Sequence, residues 1–186
     1  MLHSTCTAFQ GARCIASGTL PEVALLVQAV PDTGAPILIF DDETSSPVEL
    51  DLRGTRKEVL TRYSRQEPEE PVRRVGRPKL GVVSREVSLL PRHWEWLSGQ
   101  PGGASVALRK LVEEARRASG GKDRMRRARE SAYRFMSAMA GNEPGYEEAL
   151  RALFAGDHER LTAMTAAWPR DVRAHALKLA ARALEA

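Results

Sequence analysis

Residues 83–117 read VSREVSLLPRHWEWLSGQPGGASVALRKLVEEARR, and this stretch predicts a strand followed by two helices. In its first seven residues, Val83, Val87 and Leu89 occupy one face, as in a strand with one buried side. Pro91 then opens a helix, because a missing N–H costs nothing in the first helical turn. The sequence therefore predicts a change from strand to helix near residue 90.

A second helix follows after a short turn. Residues 98–103 (SGQPGG) end the first helix, in which Trp94 and Leu97 form the inward stripe. Trp96 lies about 200° from Trp94 around that helix, so we expect it to be exposed or to contact another domain. The second helix is predicted from apolar side chains at helical spacing, namely Leu108, Leu111, Val112 and Ala115.

The order of strand, short helix, turn and longer helix within 35 residues resembles the ribbon-helix-helix family of DNA-binding domains. In that family two chains pair their single strands into an antiparallel ribbon that enters the major groove, and the helices form the dimer core. The resemblance therefore implies a homodimer. The dimer core that it implies consists of Val87, Leu89, Trp94, Leu97, Leu108, Leu111 and Val112.

The resemblance also implies how DNA is contacted. Ser84, Glu86 and Ser88 point outward on the ribbon, and the unpaired N–H groups at Gly103–Ser105 hold a backbone phosphate. Glu86 stands at the centre of that outward face, where it meets a negative groove and accepts at best from a cytosine amino group. We therefore expect limited base specificity. The expected DNA-binding residues are Arg73, Arg74, Arg77, Lys79, Ser84, Arg85, Ser88, Arg92, Gly103, Ser105 and Arg109.

Residues 73–79, immediately upstream, read RRVGRPK. Gly76–Lys79 resemble the Gly-Arg-Pro core of AT-hook peptides, in which an extended Arg-Pro segment inserts into a narrow A·T minor groove. A basic linker that merely separates two domains explains the same residues. The segment 65–81 is accordingly predicted to be a linker, because it begins acidic and rich in proline.

The positive charge is concentrated in the middle of the chain. The 186 residues carry a net charge of +4, from 28 Lys+Arg and 24 Asp+Glu. Residues 71–130 hold 15 basic and 6 acidic side chains, residues 1–70 hold 6 and 11, and residues 131–186 hold 7 of each. Because polyanion binding depends on the local field, the middle segment is the candidate nucleic-acid surface. A solvated basic surface is the alternative.

Residues 1–64 predict a small α+β domain with the order ββαββ(α), which resembles a β-grasp arrangement. A hairpin turns at Gln10–Gly11, and two later strands cover residues 36–40 and 48–52. A two-residue loop in the hairpin places Cys6 and Cys14 on opposite faces, whereas a three-residue loop places them on one face as diagonal neighbours. In either case we expect buried thiols rather than a disulfide.

Residues 82–119 form the ribbon-helix-helix unit in this scheme, and residues 120–186 form a C-terminal helical unit. This unit is predicted to begin at Gly120–Gly121. It shows four short apolar stripes at helical spacing, separated by the loops NEPG, AGD and WPRD. Asp157 is expected to cap the third of these helices. The three units together predict the α+β class.

We find no arrangement of residues that predicts an enzyme. The four histidines lack a partner at metal-binding spacing, and no phosphate loop or nucleophile motif occurs. The best chemical cluster is Asp41–Glu43 with Asp51, whose carboxylates are suited to a hard cation. A solvated turn capped by acidic residues explains the same cluster, so we expect no metal, no cofactor and no catalytic residues.

The chain as a whole resembles a bacterial family known as a domain of unknown function, through FDDET, DLRGT, the central stretch, AYRFMSAMAG and RALFAGDHER. That resemblance implies a bacterial, cytoplasmic setting. Since no run of about 18 apolar residues occurs, we expect no membrane partner. We therefore expect a non-enzymatic, homodimeric DNA-binding protein, either a transcriptional regulator or a nucleoid-associated protein. The alternative is a dimeric scaffold in which the N-terminal or C-terminal unit binds a protein partner.

Overall fold

The structure is a computed structural model, and it describes residues 5–31, 33–64, 83 and 85–183. These residues form a three-stranded antiparallel sheet and seven helices, so the α+β class is confirmed. No helix among them combines the length and the hydropathy that crossing a bilayer requires. The elements in chain order are β1 (Thr5–Gln10), β2 (Arg13–Thr19), α1 (Leu20–Gln28), β3 (Ile37–Asp41), α2 (Arg56–Ser64), α3 (Pro91–Ser98), α4 (Gly103–Ala140), α5 (Tyr146–Ala155), α6 (His158–Met164) and α7 (Arg170–Ala181).

The predicted hairpin exists, but its turn lies one residue later than expected. Gln10 pairs with Arg13, so Gly11 and Ala12 form the loop, and Gly11 takes the positive φ of 55° that the tight turn requires. The register shifts between Ala8 and Phe9, which leaves Ile15 as the extra residue of a bulge. Because of the shifted turn, Cys14 faces Phe9 instead of the predicted Thr7.

Both cysteines are free, as predicted, and they contribute to opposite faces of the sheet. Cys6 is buried against α1, whereas Cys14 is half-buried on the other side. Burial, with smaller contributions from Asp42 and Asp41, raises the pKa of the Cys6 thiol to about 11. Cys6 is therefore an unreactive core residue.

The predicted fourth strand at residues 48–52 is wrong. The sheet has the order β2-β1-β3, and residues 46–48 add one isolated bridge between Phe40 and Pro47. Two hydrogen bonds form this bridge, from Val48 N–H to the Ile39 carbonyl at 2.8 Å and from Asp41 N–H to the Ser46 carbonyl at 3.0 Å. After Val48, side chains of α2 satisfy the backbone: the Tyr63 hydroxyl accepts from Asp51 N–H at 2.6 Å. The alternating apolar residues still pack on the core, but they do so from a loop.

The sheet separates two apolar clusters. On one face, Cys6, Ala8 and Ile39 pack with Val23 and Val27 of α1. On the other face, β1 and β3 contribute one buried phenylalanine each to a larger cluster with α4, α5, α6 and α7. The alternation of side chains along β1 and β3 thus supplies both clusters from the same strands.

An aromatic cluster joins the two ends of the chain. Phe135 of α4 lies 5.3 Å from Phe9 of β1, 5.3 Å from Phe40 of β3 and 4.5 Å from His175 of α7, measured between ring centroids. Residues 1–67 and 121–186 consequently form one compact unit, the terminal unit, and residues 68–120 form the other, the central unit. The sequence instead assigned residues 1–64 and 120–186 to separate domains, because nothing local in the sequence signals a contact between them.

The predicted start of a new helical segment at Gly120–Gly121 is wrong as well. Helix α4 continues through both glycines for 38 residues, from Gly103 to Ala140. A glycine inside a helix costs only about 1 kcal/mol relative to alanine, which the flanking turns tolerate. The basic stretch from Lys122 to Arg129 therefore belongs to the same helix as the residues predicted to contact DNA.

The remaining C-terminal elements are confirmed. The loops NEPG, AGD and WPRD separate the end of α4 from α5, α6 and α7. Asp157 caps α6, with its carboxylate accepting from Arg160 N–H at 2.9 Å. The loop and capping residues therefore predicted these helix ends correctly.

The pH dependence of stability follows from His175, which is buried and whose Nε2 has no hydrogen-bond partner among the described residues. Burial is the main cause that lowers its pKa from 6.5 to about 4; Lys178 and Arg182 add to the effect, and Asp42 opposes it. The unfolded chain binds this proton near pH 6.5 and the folded chain only near pH 4. The free energy of unfolding therefore falls across that window as the pH drops, by up to about 3 kcal/mol from His175.

Urea unfolding of the wild type and of His175→Phe at pH values of about 7 and about 4.5 measures this contribution. We expect the variant to lose much less stability than the wild type on acidification, because the other titrating groups are unchanged. His158→Gln, at an exposed histidine, is the control and should follow the wild type. Equal losses in the wild type and His175→Phe would contradict the assignment.

Candidate nucleic-acid interface

The structure describes part of the predicted interface. Arg73, Arg74, Arg77, Lys79 and Ser84 lie outside the described residues, so the predicted AT-hook-like arm and one ribbon position are not placed. The other predicted residues all belong to the central unit. The described DNA-binding candidates are Arg85, Ser88, Arg92, Gly103, Ser105 and Arg109.

The predicted ribbon strand is not formed in the single chain. Residues 85–90 have no regular secondary structure and, apart from the half-buried Leu89, are exposed. A β-strand exists through hydrogen bonds to a neighbouring strand, and the sheet of the terminal unit uses only β1, β2 and β3. Apart from the Leu90 carbonyl, which accepts from His93 N–H at 2.8 Å, the backbone of residues 85–90 forms no hydrogen bond with the backbone of any described residue.

Helix α3 begins where the sequence predicts. Pro91 lies in its first turn, and Leu90 is the N-cap with extended backbone. Within the single chain Leu97 of the predicted inward stripe is buried, whereas Trp94 is 40 % exposed. Trp96 is 54 % exposed, which agrees with its position on the opposite side of the helix.

Two glycines set the start of α4. Gly102 and Gly103 have φ values of 86° and 76°, in the left-handed region that side chains with a Cβ rarely adopt. A Cβ on Gly102 would lie 3.1 Å from Val106, whereas one on Gly103 would meet nothing within 4 Å. The predicted start of the second helix near Gly103–Ser105 is confirmed.

The central unit has very little core of its own. Among its described residues, Leu97 and Ala107 are the buried apolar side chains, whereas the terminal unit contains a full core on both faces of its sheet. Leu89 and Leu108 are half-buried. Seven large apolar side chains among the described residues of the central unit are exposed; we call them the exposed apolar set, and they are Val83, Val87, Leu90, Trp94, Trp96, Leu111 and Val112.

The basic side chains near this set are exposed. Arg85 and Arg92 form no ion pair or side-chain hydrogen bond with any described residue. Arg109 donates from Nε to the Ser105 carbonyl at 3.1 Å, within its own helix. Arg116, by contrast, is paired with Glu113 at 2.9 Å. Arg85, Arg92 and Arg109 thus have no carboxylate partner among the described residues, whereas Arg116, a neighbour on α4, is paired.

The acidic cluster considered for a cation is a capped turn. Asp41 Oδ1 accepts from the backbone N–H groups of Glu43 and Thr44, Asp42 is buried and accepts from the Thr7 hydroxyl at 2.6 Å, and Asp51 is bonded to Arg53 at 2.9 Å. The carboxylates of Asp41, Asp42 and Asp51 therefore each have a protein partner. No group of three or more ligating side chains able to hold a metal occurs in the described parts of the chain.

The sequence analysis missed an arginine-lined cleft in the terminal unit. Arg124 and Arg127 of α4 line it with Arg182, which follows α7. The spacing of three residues between Arg124 and Arg127 places them on one helical face and is a signal present in the sequence. Arg182 comes from the far end of the chain, and no local pattern connects it with the other two.

Comparison with known proteins gives one match. The model of a protein family described as "Uncharacterized protein conserved in bacteria (DUF2239)" matches residues 5–180, which include nearly all of both units. No curated protein and no solved structure matches the chain.

The start of α4 can be tested through its two glycines. We expect Gly102→Ala to lower the free energy of unfolding by about 1–2 kcal/mol, because the left-handed backbone and the close approach to Val106 both oppose a Cβ. Gly103→Ala is the matched control, since it carries only the backbone cost and should lose less. Urea unfolding, followed by the helical circular-dichroism signal, measures both. A Gly103→Ala variant as unstable as Gly102→Ala would show that the Val106 contact contributes nothing.

Proposed function

The chain belongs to this DUF2239 family of bacterial proteins, and we propose that it is a homodimeric DNA-binding protein of the ribbon-helix-helix type without enzymatic activity. It would act as a transcriptional regulator or a nucleoid-associated protein and would contact mainly the phosphate backbone. The exposed apolar set of the central unit carries this proposal.

Dimerisation is supported by where the exposed apolar side chains occur. Val87, Trp94, Leu111 and Val112 are positions that the ribbon-helix-helix resemblance assigns to the dimer core, and they are 40–63 % exposed in the single chain. A unit with so few buried apolar residues rarely folds stably alone. A second copy of the chain would cover these side chains and would also supply the missing partner for residues 85–90.

DNA contact is supported by the unpaired cations of the same unit. Arg85, Arg92 and Arg109 are exposed and have no carboxylate partner among the described residues, and each would neutralise a phosphate. The backbone N–H groups of Ala104 and Ser105 at the start of α4 add a favourable site for an anion, whereas Gly103 N–H donates to the Gln100 carbonyl at 2.9 Å. Glu86 is also exposed, and beside a groove it would oppose close approach to most bases. The positive groups favour contact with the DNA phosphates, and Glu86 limits base selection.

The dimer can be tested by placing a charge within the exposed apolar set. Val112 is 63 % exposed in the single chain, so Val112→Glu should leave the fold of one chain intact. We expect analytical ultracentrifugation to give twice the mass of one chain for the wild type and the mass of one chain for the variant, because an unpaired buried charge opposes association. Lys110→Glu, on the same helix, is the control and should remain dimeric. A monomeric wild type would contradict the dimer.

DNA binding can be tested by titrating a labelled duplex at about 50 mM and about 200 mM salt, conditions between which phosphate-contacting proteins lose affinity steeply. We expect binding at the lower concentration and at least about tenfold weaker binding at the higher one. Arg92→Ala and Arg109→Ala should each reduce the logarithmic salt slope by about 0.9. Arg116→Ala, at the arginine already paired with Glu113, should change the slope much less.

The two tests together separate the proposal from its alternative. A wild-type dimer that binds no duplex at low salt would exclude DNA contact and would favour the scaffold, in which this unit only dimerises. Binding by the monomeric Val112→Glu variant with unchanged affinity would contradict a DNA surface built from a paired ribbon. Loss of binding in that variant supports it.

A further inference from the structure

The terminal unit contains a cleft of about 260 Å³ whose lining is dominated by arginine. Arg124 and Arg127 of α4 and Arg182, just beyond α7, provide three positive charges, and Glu43 provides one negative charge. Ala128, Ser131 and Leu179 complete the lining. The cleft thus combines a net positive charge with small and apolar walls.

The walls of this cleft are fixed to one another. The loop that follows β3 is tied to α4 twice: the Ser45 and Ser131 hydroxyls are hydrogen-bonded at 2.8 Å, and Arg134 donates to the Thr44 carbonyl at 3.0 Å. The same loop is tied to the end of α7, because Arg182 donates to the Asp42 carbonyl. Ser45 and Ser131 are both buried. The three segments that line the cleft are therefore held in place without a ligand.

The arginines on α4 divide into paired and unpaired ones. Arg126 points to the two carboxylates on its own face of the helix, at 3.4 Å from Asp123 and 3.1 Å from Glu130. The side chains of Arg124 and Arg127 form no ion pair or hydrogen bond with any described residue, and Glu43 pairs with none of the three arginines that line the cleft. Arg182 uses one guanidinium donor on Asp42 and has others available. Uncompensated positive charge is thus directed to the cleft side of α4.

From this charge and geometry we infer that the cleft binds the phosphate group of a small phosphorylated metabolite. Arginine presents several N–H donors in a planar arrangement that matches phosphate oxygens, and two or three such side chains around one anion are a common phosphate-binding arrangement. The cleft is slightly smaller than the roughly 300–1,000 Å³ of sites for drug-sized ligands. No aromatic ring lines it, so it offers no stacking surface for a base. A sugar phosphate has a suitable size and charge.

This site goes beyond the proposed function, because all of its residues belong to the terminal unit and none is among the residues expected to contact DNA. The two proposals can therefore fail separately. A protein that binds a sugar phosphate but no duplex retains the cleft site, and one that binds a duplex but no sugar phosphate loses it.

The test is isothermal titration calorimetry of the full-length protein with ribose 5-phosphate, with ribose as the matched ligand that lacks the phosphate. We expect ribose 5-phosphate to bind with a dissociation constant of about 1 mM or tighter and ribose to give no heat of binding. Arg124→Ala and Arg127→Ala should each weaken binding about tenfold, since each removes charge-assisted hydrogen bonds to the phosphate. Arg182 is left unchanged because it also holds the loop after β3.

Arg126→Ala is the matched control, on the same helix and with the same change of net charge. It should bind ribose 5-phosphate like the wild type, because Arg126 already has two carboxylate partners. All three altered side chains are exposed, so circular dichroism should show the wild-type fold in each variant. No binding by the wild type, equal binding of ribose, or the same loss in Arg126→Ala as in Arg127→Ala would each overturn the inference. Duplex binding that requires Arg124 and Arg127 while ribose 5-phosphate does not bind would overturn it as well.

Discussion

Phe135 contacts three other rings, and the terminal unit depends on these contacts. Phe9 and Phe40 of the sheet and His175 of α7 each contact its ring, with distances of 4.5–5.3 Å between ring centroids. Phe9 also lies 5.5 Å from His175, so the four rings form one connected cluster. Because β1 lies near the start of the chain and α7 near its end, this cluster makes the two ends fold as one unit and leaves residues 68–120 as an insertion in sequence.

The two units differ in how completely they bury their own apolar side chains. The terminal unit covers both faces of its sheet with helices, and its buried polar groups are mostly paired, as Ser45 is with Ser131. Among its described residues, the central unit leaves most large apolar side chains exposed, and residues 85–89 form no hydrogen bond with the backbone of another described residue. Since exposed apolar patches of this kind typically belong to interfaces, the central unit is where association with a second chain is expected.

The positive charge of the chain also separates into two kinds of surface. In the central unit, Arg85 and Arg92 are exposed and have no carboxylate partner among the described residues, which suits an extended polyanion. In the terminal unit, Arg124 and Arg127 line a cleft with fixed walls, which suits a small anion. The count of 15 basic residues in the middle of the sequence includes both surfaces and does not distinguish them. Helix α4 carries residues of each, because it continues through Gly120–Gly121.

The sequence by itself determined the elements whose signals are local. Pro91 at the start of α3, Asp157 at the start of α6 and the glycine of the first hairpin each act on backbone groups within a few residues, so their effects can be read directly from the chain. Residues 48–52 were misassigned because alternating apolar residues bury equally well from a loop whose backbone is bonded by Tyr63. The candidate DNA-binding residues were chosen from pattern and charge, and their exposure could not be read from either.

Only the tertiary structure decided that Phe9, Phe135 and His175 share one core and that Arg182 joins Arg124 and Arg127. Such contacts form between residues far apart in sequence, and no local periodicity encodes which apolar or basic side chains will meet.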